Sequence, residues 1–275
     1  MTSHVRGSAP ALRNRLASRK AGLLVFIENP STLTMGLQGE VDDASHLSAG
    51  LLEAIHQDLM RGLHDCPWVQ VYLAAARGDA AGYTSQLQAL SGFPILELKQ
   101  SGPLAGWDEG LSILFNRLGH RRILCASGQV PDLYPGDLHR ALTKLELYEM
   151  VIGREGEDRF WLIGMDGYHD LLRAAQVQPG DFLHPILHAA SQASLNISVL
   201  DTKHAFTRGE NLRHLQPLAG RSQHPNLTRV LAAEGIHPVR SGVGVARTGT
   251  SPDDLVHFQS DDDLLGKSVK EGKTT

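Results

Sequence analysis

Residues 121–134 read Arg-Arg-Ile-Leu-Cys-Ala-Ser-Gly-Gln-Val-Pro-Asp-Leu-Tyr, and this stretch decides the fold class. The first seven residues are the pattern of a central strand, Arg121 to Ser127, whose carboxyl end opens into a loop, Gly128 to Tyr134. Pro135 then stands at a first helical position, where its missing N–H costs nothing, and Leu138, Ala141, Leu142 and Leu145 follow at helical spacing. In open α/β sheets ligands sit outside the carboxyl ends of the strands, so the 128–134 loop is the first place to look for a site.

Working outward, apolar β-type runs alternate with helical patterns on both sides. Upstream, strands are predicted at Gly22–Glu28, Val69–Ala76 and Phe93–Lys99, with helices over 46–64, 79–91 and 104–119. The last of these helices is expected to place Trp107, Leu111, Leu114, Phe115 and Leu118 inward. Downstream, Glu149–Gly153 and Phe160–Gly164 read as an antiparallel pair joined by the polar stretch 154–159. Helices at 167–176 and 183–194, a strand at Asn196–Asp201 and a helix near 208–216 complete the pattern. Alternation of this kind implies a three-layer α/β fold, Rossmann-like, with a mostly parallel mixed central sheet flanked by helices. No repeat of 20–50 residues suggests a solenoid or propeller.

Three segments are expected: a flexible basic arm over 1–21, a main domain over 22–218, and a carboxyl extension over 219–275 with one helix and then a loose tail. The 41% hydrophobic and 20% charged residues of this 275-residue chain suffice for a substantial core. A formal charge of -4 gives no electrostatic push toward nucleic acid or an anionic membrane, and neither is expected as a partner. The early apolar run Ala21–Ile27 is too short to span a bilayer. Cys66 and Cys125, the only cysteines, form no metal-binding pair motif, and a reducing, cytoplasmic setting is the expectation.

Two stretches carry a resemblance. Ile123 to Leu142 is similar to a strand, Gly-Ser-Asp-Cys-Pro-Asp-Leu loop and helix, and Val151 to Gly164 is similar to a Val-Leu-Gly-Pro-Ala-x-Asp-Gly-Gly-Tyr-Tyr-Leu-Ile-Gly segment. Both belong to a bacterial family of uncharacterised GT-A-like transferases within the nucleotide-diphospho-sugar transferase superfamily, distant relatives of molybdenum-cofactor guanylyltransferases. The resemblance spans roughly residues 22–215 and implies a GT-A-like fold, with a nucleoside di- or triphosphate donor held through a divalent cation. Hard cations such as Mg²⁺ want carboxylates, and a diphosphate leaving group wants positive charge.

The chemistry-bearing positions depart from that pattern. The loop aspartate becomes Gln129; Glu28, Leu33, Gly36, Leu37 and Gln38 replace the first lysine, glycine, second lysine, threonine and arginine of the phosphate loop; Ala205, Thr207 and Asn211 replace three late aspartates; and the Asp-Gly-Gly motif becomes Glu157-Asp158-Arg159. The resemblance therefore implies a degenerate member, without metal-dependent transfer and with no cofactor, serving a binding or regulatory role. Its candidate partners are a nucleotide or nucleotide-sugar ligand, contacted by Gln129, Asp132, Glu157 and Asp158, and a protein partner. The alternative is a divergent glycosyl- or nucleotidyltransferase that uses Mg²⁺ or Mn²⁺ through a relocated cluster of Asp132, Glu155, Glu157, Asp158 and Asp201. His184 and His188 are four apart but lack the His-Glu-x-x-His pattern of zinc enzymes, and read as surface residues. Trp107, Phe160 and Trp161 read as core packing rather than as a stacking platform.

Overall fold

Among the described residues seven strands form one sheet, and its centre is the strand that opened the sequence reading. They are β1 (Ala21–Phe26), β2 (Val69–Ala76), β3 (Ile95–Leu98), β4 (Ile123–Ser127), β5 (Met150–Glu155), β6 (Arg159–Met165) and β7 (Ile197–Lys203), in the spatial order β3-β2-β1-β4-β6-β5-β7. All pairings are parallel except those of β6, which runs antiparallel to both β4 and β5. The structure, a computed structural model, describes residues 20–30, 43–76, 82–99, 103–175, 181–206, 215–233 and 235–237.

Burial on both faces explains why β1 and β4 read as continuous apolar runs rather than alternating ones. Leu23 and Val25 enter one core and Leu24 the other, as the two-residue period of a strand requires. The first core lies under helices α1 (Asp43–His64), α2 (Tyr83–Ser91) and α4 (Pro135–Lys144), through Leu59, Leu63, Leu87, Leu138 and Ala141. The second lies under α3 (Pro103–Ser112), α5 (Leu171–Ala174) and α6 (Leu183–Gln192), through Trp107, Leu111, Leu171, Leu183 and Ile186. Phe26 stacks on Trp107 at 4.7 Å and Trp107 meets Phe160 edge-on at 5.0 Å, so these aromatics pack the core. The result is the three-layer α/β architecture expected from the alternation.

A further helix, α7 (Pro225–Ala233), packs Leu227 and Leu231 against Leu51, Leu52 and Ile55 on the outer side of α1. Its first turn is fixed by the buried Asp58 carboxylate, which accepts hydrogen bonds from the main-chain N–H of Asn226 (3.1 Å) and Leu227 (2.9 Å) and from the Asn226 amide (2.8 Å). Leu215 and Leu218, before the expected boundary at 218, share that core with Leu227 beyond it.

Most elements fall within a few residues of expectation, and β2 coincides with it. Leu118 does not face inward; it is 43% exposed. After Ser112 the helix widens into a π turn, Ile113–Arg117, in which Leu118 N–H bonds to Ile113 O at 3.0 Å, and the extra residue rotates everything after it. Residues 1–19 of the expected arm, 208–214 of the helix expected near 208–216, and the tail over 241–275 lie outside the described residues, and the chain resumes in a short 3-10 turn at Gln216–Leu218.

Candidate functional site

β1 sends the chain outward through β2 and β3 on one side, whereas β4 begins the other half of the sheet, so the order reverses between β1 and β4. In doubly wound sheets the crevice at such a switch point takes the ligand. Phe26 pairs with Ser127, and Gly128 N–H donates to Phe26 O at 2.8 Å, extending the ladder by one step. A Cβ at Gly128 would stand 2.7 Å from Phe26 O and 3.0 Å from Ile27 Cδ1, so this backbone can pass only as glycine. Behind it lies the fully buried His56 of α1, whose Cδ2 would be 3.4 Å from that Cβ. His56 Nδ1 bonds to the Tyr83 hydroxyl at 3.0 Å, and burial pushes the imidazole pKa down to about 3. Glu28, just past β1, has its pKa raised by partial desolvation.

The loop from 128 to 134 is tied to β7. Phe206 N–H donates to Gln129 O at 2.7 Å, and Gln129 N–H donates to Ser127 Oγ at 3.3 Å. The half-buried Gln129 thus works through its main chain.

Asp132, expected to anchor an acidic cluster, is charge-matched instead. The Lys203 ammonium, 9% exposed at the end of β7, donates to Asp132 O at 2.7 Å and Asp132 Oδ2 at 3.2 Å, and lies 3.0 Å from Asp137 Oδ2. The Tyr134 and Trp161 rings lie 5.5 and 5.6 Å from the same nitrogen. Asp137 also accepts the Tyr134 N–H at 3.0 Å, closing the first turn of α4. The Tyr134 hydroxyl lies 2.8 Å from His224 Nε2.

The remaining acids do not join Asp132. Asp201 is exposed and pairs with Arg140, while its carbonyl accepts Trp161 Nε1–H at 3.2 Å. Glu155 pairs with Arg159 at 3.3 Å, and Glu157 is exposed in the β5–β6 turn beside Gly156, whose φ of +64° needs a glycine. Asp158, in the same turn, comes near Asp181 and His184, with candidate ligand atoms within 4.8 Å of one another. This is the only such grouping among the described residues, and the Asp181 carboxylate is already engaged by His184 N–H and Nδ1, each at 3.1 Å. His188 turns instead to Gln192.

Sequence reasoning therefore named Asp132 without its partner and missed His56, Lys203 and Asp137. Asp137 had a legible signal, an acid at the third position of a Pro-started helix. Cys66 and Cys125 are buried free thiols, with Cys66 pushed up to about 11 by burial and by the Asp65 charge.

Sheet order, the antiparallel β6 and the layering define a GT-A-like, Rossmann-related three-layer α/β fold. The particular likeness is to a crystal structure from Desulfovibrio desulfuricans G20, provisionally assigned as a nucleotide-diphospho-sugar transferase, with a TM-score of 0.66 and 18% identity over 78% of this chain and 95% of that one. The 4-diphosphocytidyl-2C-methyl-D-erythritol synthase of Anaerococcus prevotii matches with a TM-score of 0.49 and 9% identity over 72% of this chain and 95% of its own. No family model matches the chain, and no curated protein does. No described helix is long and apolar enough to cross a membrane.

Proposed function

We propose that this chain binds a nucleotide or nucleotide sugar at the crevice between β1 and β4 without a divalent cation, and that it serves a binding or regulatory role rather than metal-dependent transfer. One observation carries this reading. The two carboxylates nearest the end of β4 on the β7 side, Asp132 and Asp137, already share the ammonium of Lys203. A metal there would have to displace a buried cation that donates two hydrogen bonds to Asp132 and pairs with Asp137 at 3.0 Å. The ligand class comes from the likeness of fold, which is an argument by analogy. A protein partner and a cytoplasmic setting, in keeping with unpaired Cys66 and Cys125, belong to the same reading.

A screen of nucleoside diphosphates and nucleotide sugars by thermal shift, each with and without Mg²⁺ or Mn²⁺, tests it. A ligand that binds only the folded state raises the melting temperature. The expected outcome is stabilisation by at least one nucleotide that is unchanged by metal. Stabilisation that requires metal would overturn the reading.

The second reading, transfer through a relocated acidic cluster with Mg²⁺ or Mn²⁺, is favoured by the grouping of Asp158, Asp181 and His184. It requires metal-dependent binding that Asp158→Ala abolishes.

A further inference from the structure

Tyr134, the last residue of the 128–134 loop, is joined through its hydroxyl to the segment that leads into α7. The hydroxyl lies 2.8 Å from His224 Nε2 and accepts a hydrogen bond from Arg221 Nη1 at 3.4 Å, and the two rings stand 5.5 Å apart. His224 is buried and held from behind. Its carbonyl accepts from the Thr228 N–H at 2.9 Å and the Thr228 hydroxyl at 2.6 Å, and the Asp58 carboxylate of α1 fixes the turn that follows it. A loop at the carboxyl edge of the sheet is thus tied to a residue 90 positions further along the chain.

We propose that His224 and Tyr134 form an acid-sensitive latch, by which the segment leading into α7 holds the 128–134 loop in place until the imidazole takes a proton. A hydroxyl has one hydrogen to give. With Arg221 donating to the Tyr134 oxygen, that hydrogen goes to Nε2, which is then the unprotonated nitrogen of a neutral ring. A proton on Nε2 turns the acceptor into a donor, leaves the hydroxyl hydrogen without a partner, and sets an imidazolium and a guanidinium against one oxygen. The Lys203 ammonium of β7, 5.5 Å from the centre of the Tyr134 ring, adds positive charge beside the tyrosine. Burial and the Arg221 guanidinium oppose the charged imidazole, Asp58 on α1 and Asp132 in the loop favour it, and the balance, led by burial, holds the pKa below its ordinary value of 6.5. Opening returns the ring toward water and that ordinary value, so closure is complete above pH 6.5 and weakens progressively below it.

Amide hydrogen exchange of the full chain without ligand tests the latch, at pH 7 and pH 5 and corrected for the intrinsic exchange rate at each. The loop is read through the N–H groups of Leu133 and Tyr134, which bond to Val130 O and Asp137 Oδ2. The expected result is that both lose about 3- to 10-fold in protection at pH 5 in the wild type, the worth of one neutral hydrogen bond. His224→Gln, whose amide can meet the hydroxyl but does not titrate, is expected to keep the protection and lose the acid sensitivity. Tyr134→Phe, which removes only the hydroxyl, is expected to show the lower protection at both pH values. Wild-type protection that is equal at pH 7 and pH 5 overturns the proposal, as does either variant remaining as acid-sensitive as the wild type.

For the crevice, the latch means control of ligand binding by acidity, a consequence that rests on the reading that the crevice holds a nucleotide. Calorimetric titration with the nucleotide selected by thermal shift is expected to lose about 3- to 10-fold more affinity between pH 7 and pH 5 in the wild type than in His224→Gln. Equal losses overturn the control of binding. Absence of binding by every nucleotide overturns the nucleotide reading instead, and hydrogen exchange still decides the latch.

Discussion

At the β7 side of the carboxyl edge, Lys203 meets Asp132, Asp137 and two aromatic faces, donating two hydrogen bonds and pairing with both carboxylates. At the β1 side of the same edge, His56 packs just as deeply but leaves one nitrogen unpaired. The two regions are alike in burial and opposite in completion. A saturated polar cluster is explained by the stability it confers, because every group is satisfied within the chain. An unsaturated one keeps the desolvation penalty of its unpaired atom and so weakens the folded state. The difference separates a buried group satisfied within the chain from one that is not, a distinction that residue type alone does not make.

The sharpest way to break the comparison is Lys203→Met, which keeps the length of the side chain and removes its charge. Two carboxylates would be left facing each other without a cation, a change that costs about 3 kcal/mol when ion pairs are this well buried. Urea denaturation should show that loss with an unchanged m-value. The variant should also gain stability from Mn²⁺, because a divalent ion can replace the lost ammonium, and the wild type should gain none. Wild-type stability lost by less than 1 kcal/mol would mean that the cluster is no more than a surface pairing.

Acid probes the other region. The His56 imidazole has a folded-state value of about 3, below its ordinary value of 6.5, because burial disfavours the charged ring. As pH falls below 6.5 the unfolded chain takes the proton first, so the stability tied to this residue is complete above 6.5 and is lost progressively toward pH 3. His224, lowered chiefly by desolvation, acts in the same direction. The slope attributable to one such histidine is about 1.4 kcal/mol per pH unit. Denaturation of wild type and His56→Phe between pH 7 and pH 5 should show the wild type falling more steeply by up to about that amount. Parallel slopes would mean that His56 reaches solvent in the folded state.

How much of this was legible depends on the range over which the determining contact acts. The β4 strand, its loop and α4 were readable because an apolar run, a Gly-containing loop and Pro135 follow one another directly. The antiparallel β5–β6 pair was readable from the short polar stretch between two apolar runs. The π turn after Ser112 was not, because nothing in the spacing of Leu111, Leu114 and Leu118 records the inserted residue. Lys203 and Asp132 are 71 positions apart, so their pairing is a property of the sheet rather than of any motif. His56 was hidden by its neighbours: between Leu52, Ile55 and Leu59 it reads as one more member of an apolar face. The acids at 132, 155, 158 and 201 were visible as residues, but Lys203, Arg159, His184 and Arg140 were not visible as their partners.

The smallest effect is expected where the ion pair looks tightest. Arg140 donates to Asp201 through Nη1, yet the two side chains are 54% and 79% exposed. Water screens such a pair, and its attraction is nearly matched by the freedom that two long side chains give up, so Arg140→Ala should cost no more than about 0.5 kcal/mol. The structural role of Asp201 is untouched by the change, because Trp161 Nε1–H bonds to its main-chain oxygen and not to its carboxylate. Freed of Arg140, that carboxylate would become a better metal ligand if the relocated acidic cluster were real. Nucleotide affinity in the presence of Mn²⁺ should nevertheless stay within twofold of wild type, measured by the same calorimetric titration. A gain beyond that would put Asp201 in the ligand site and shift the weight from the crevice at β1 to the acidic residues at the far end of the sheet.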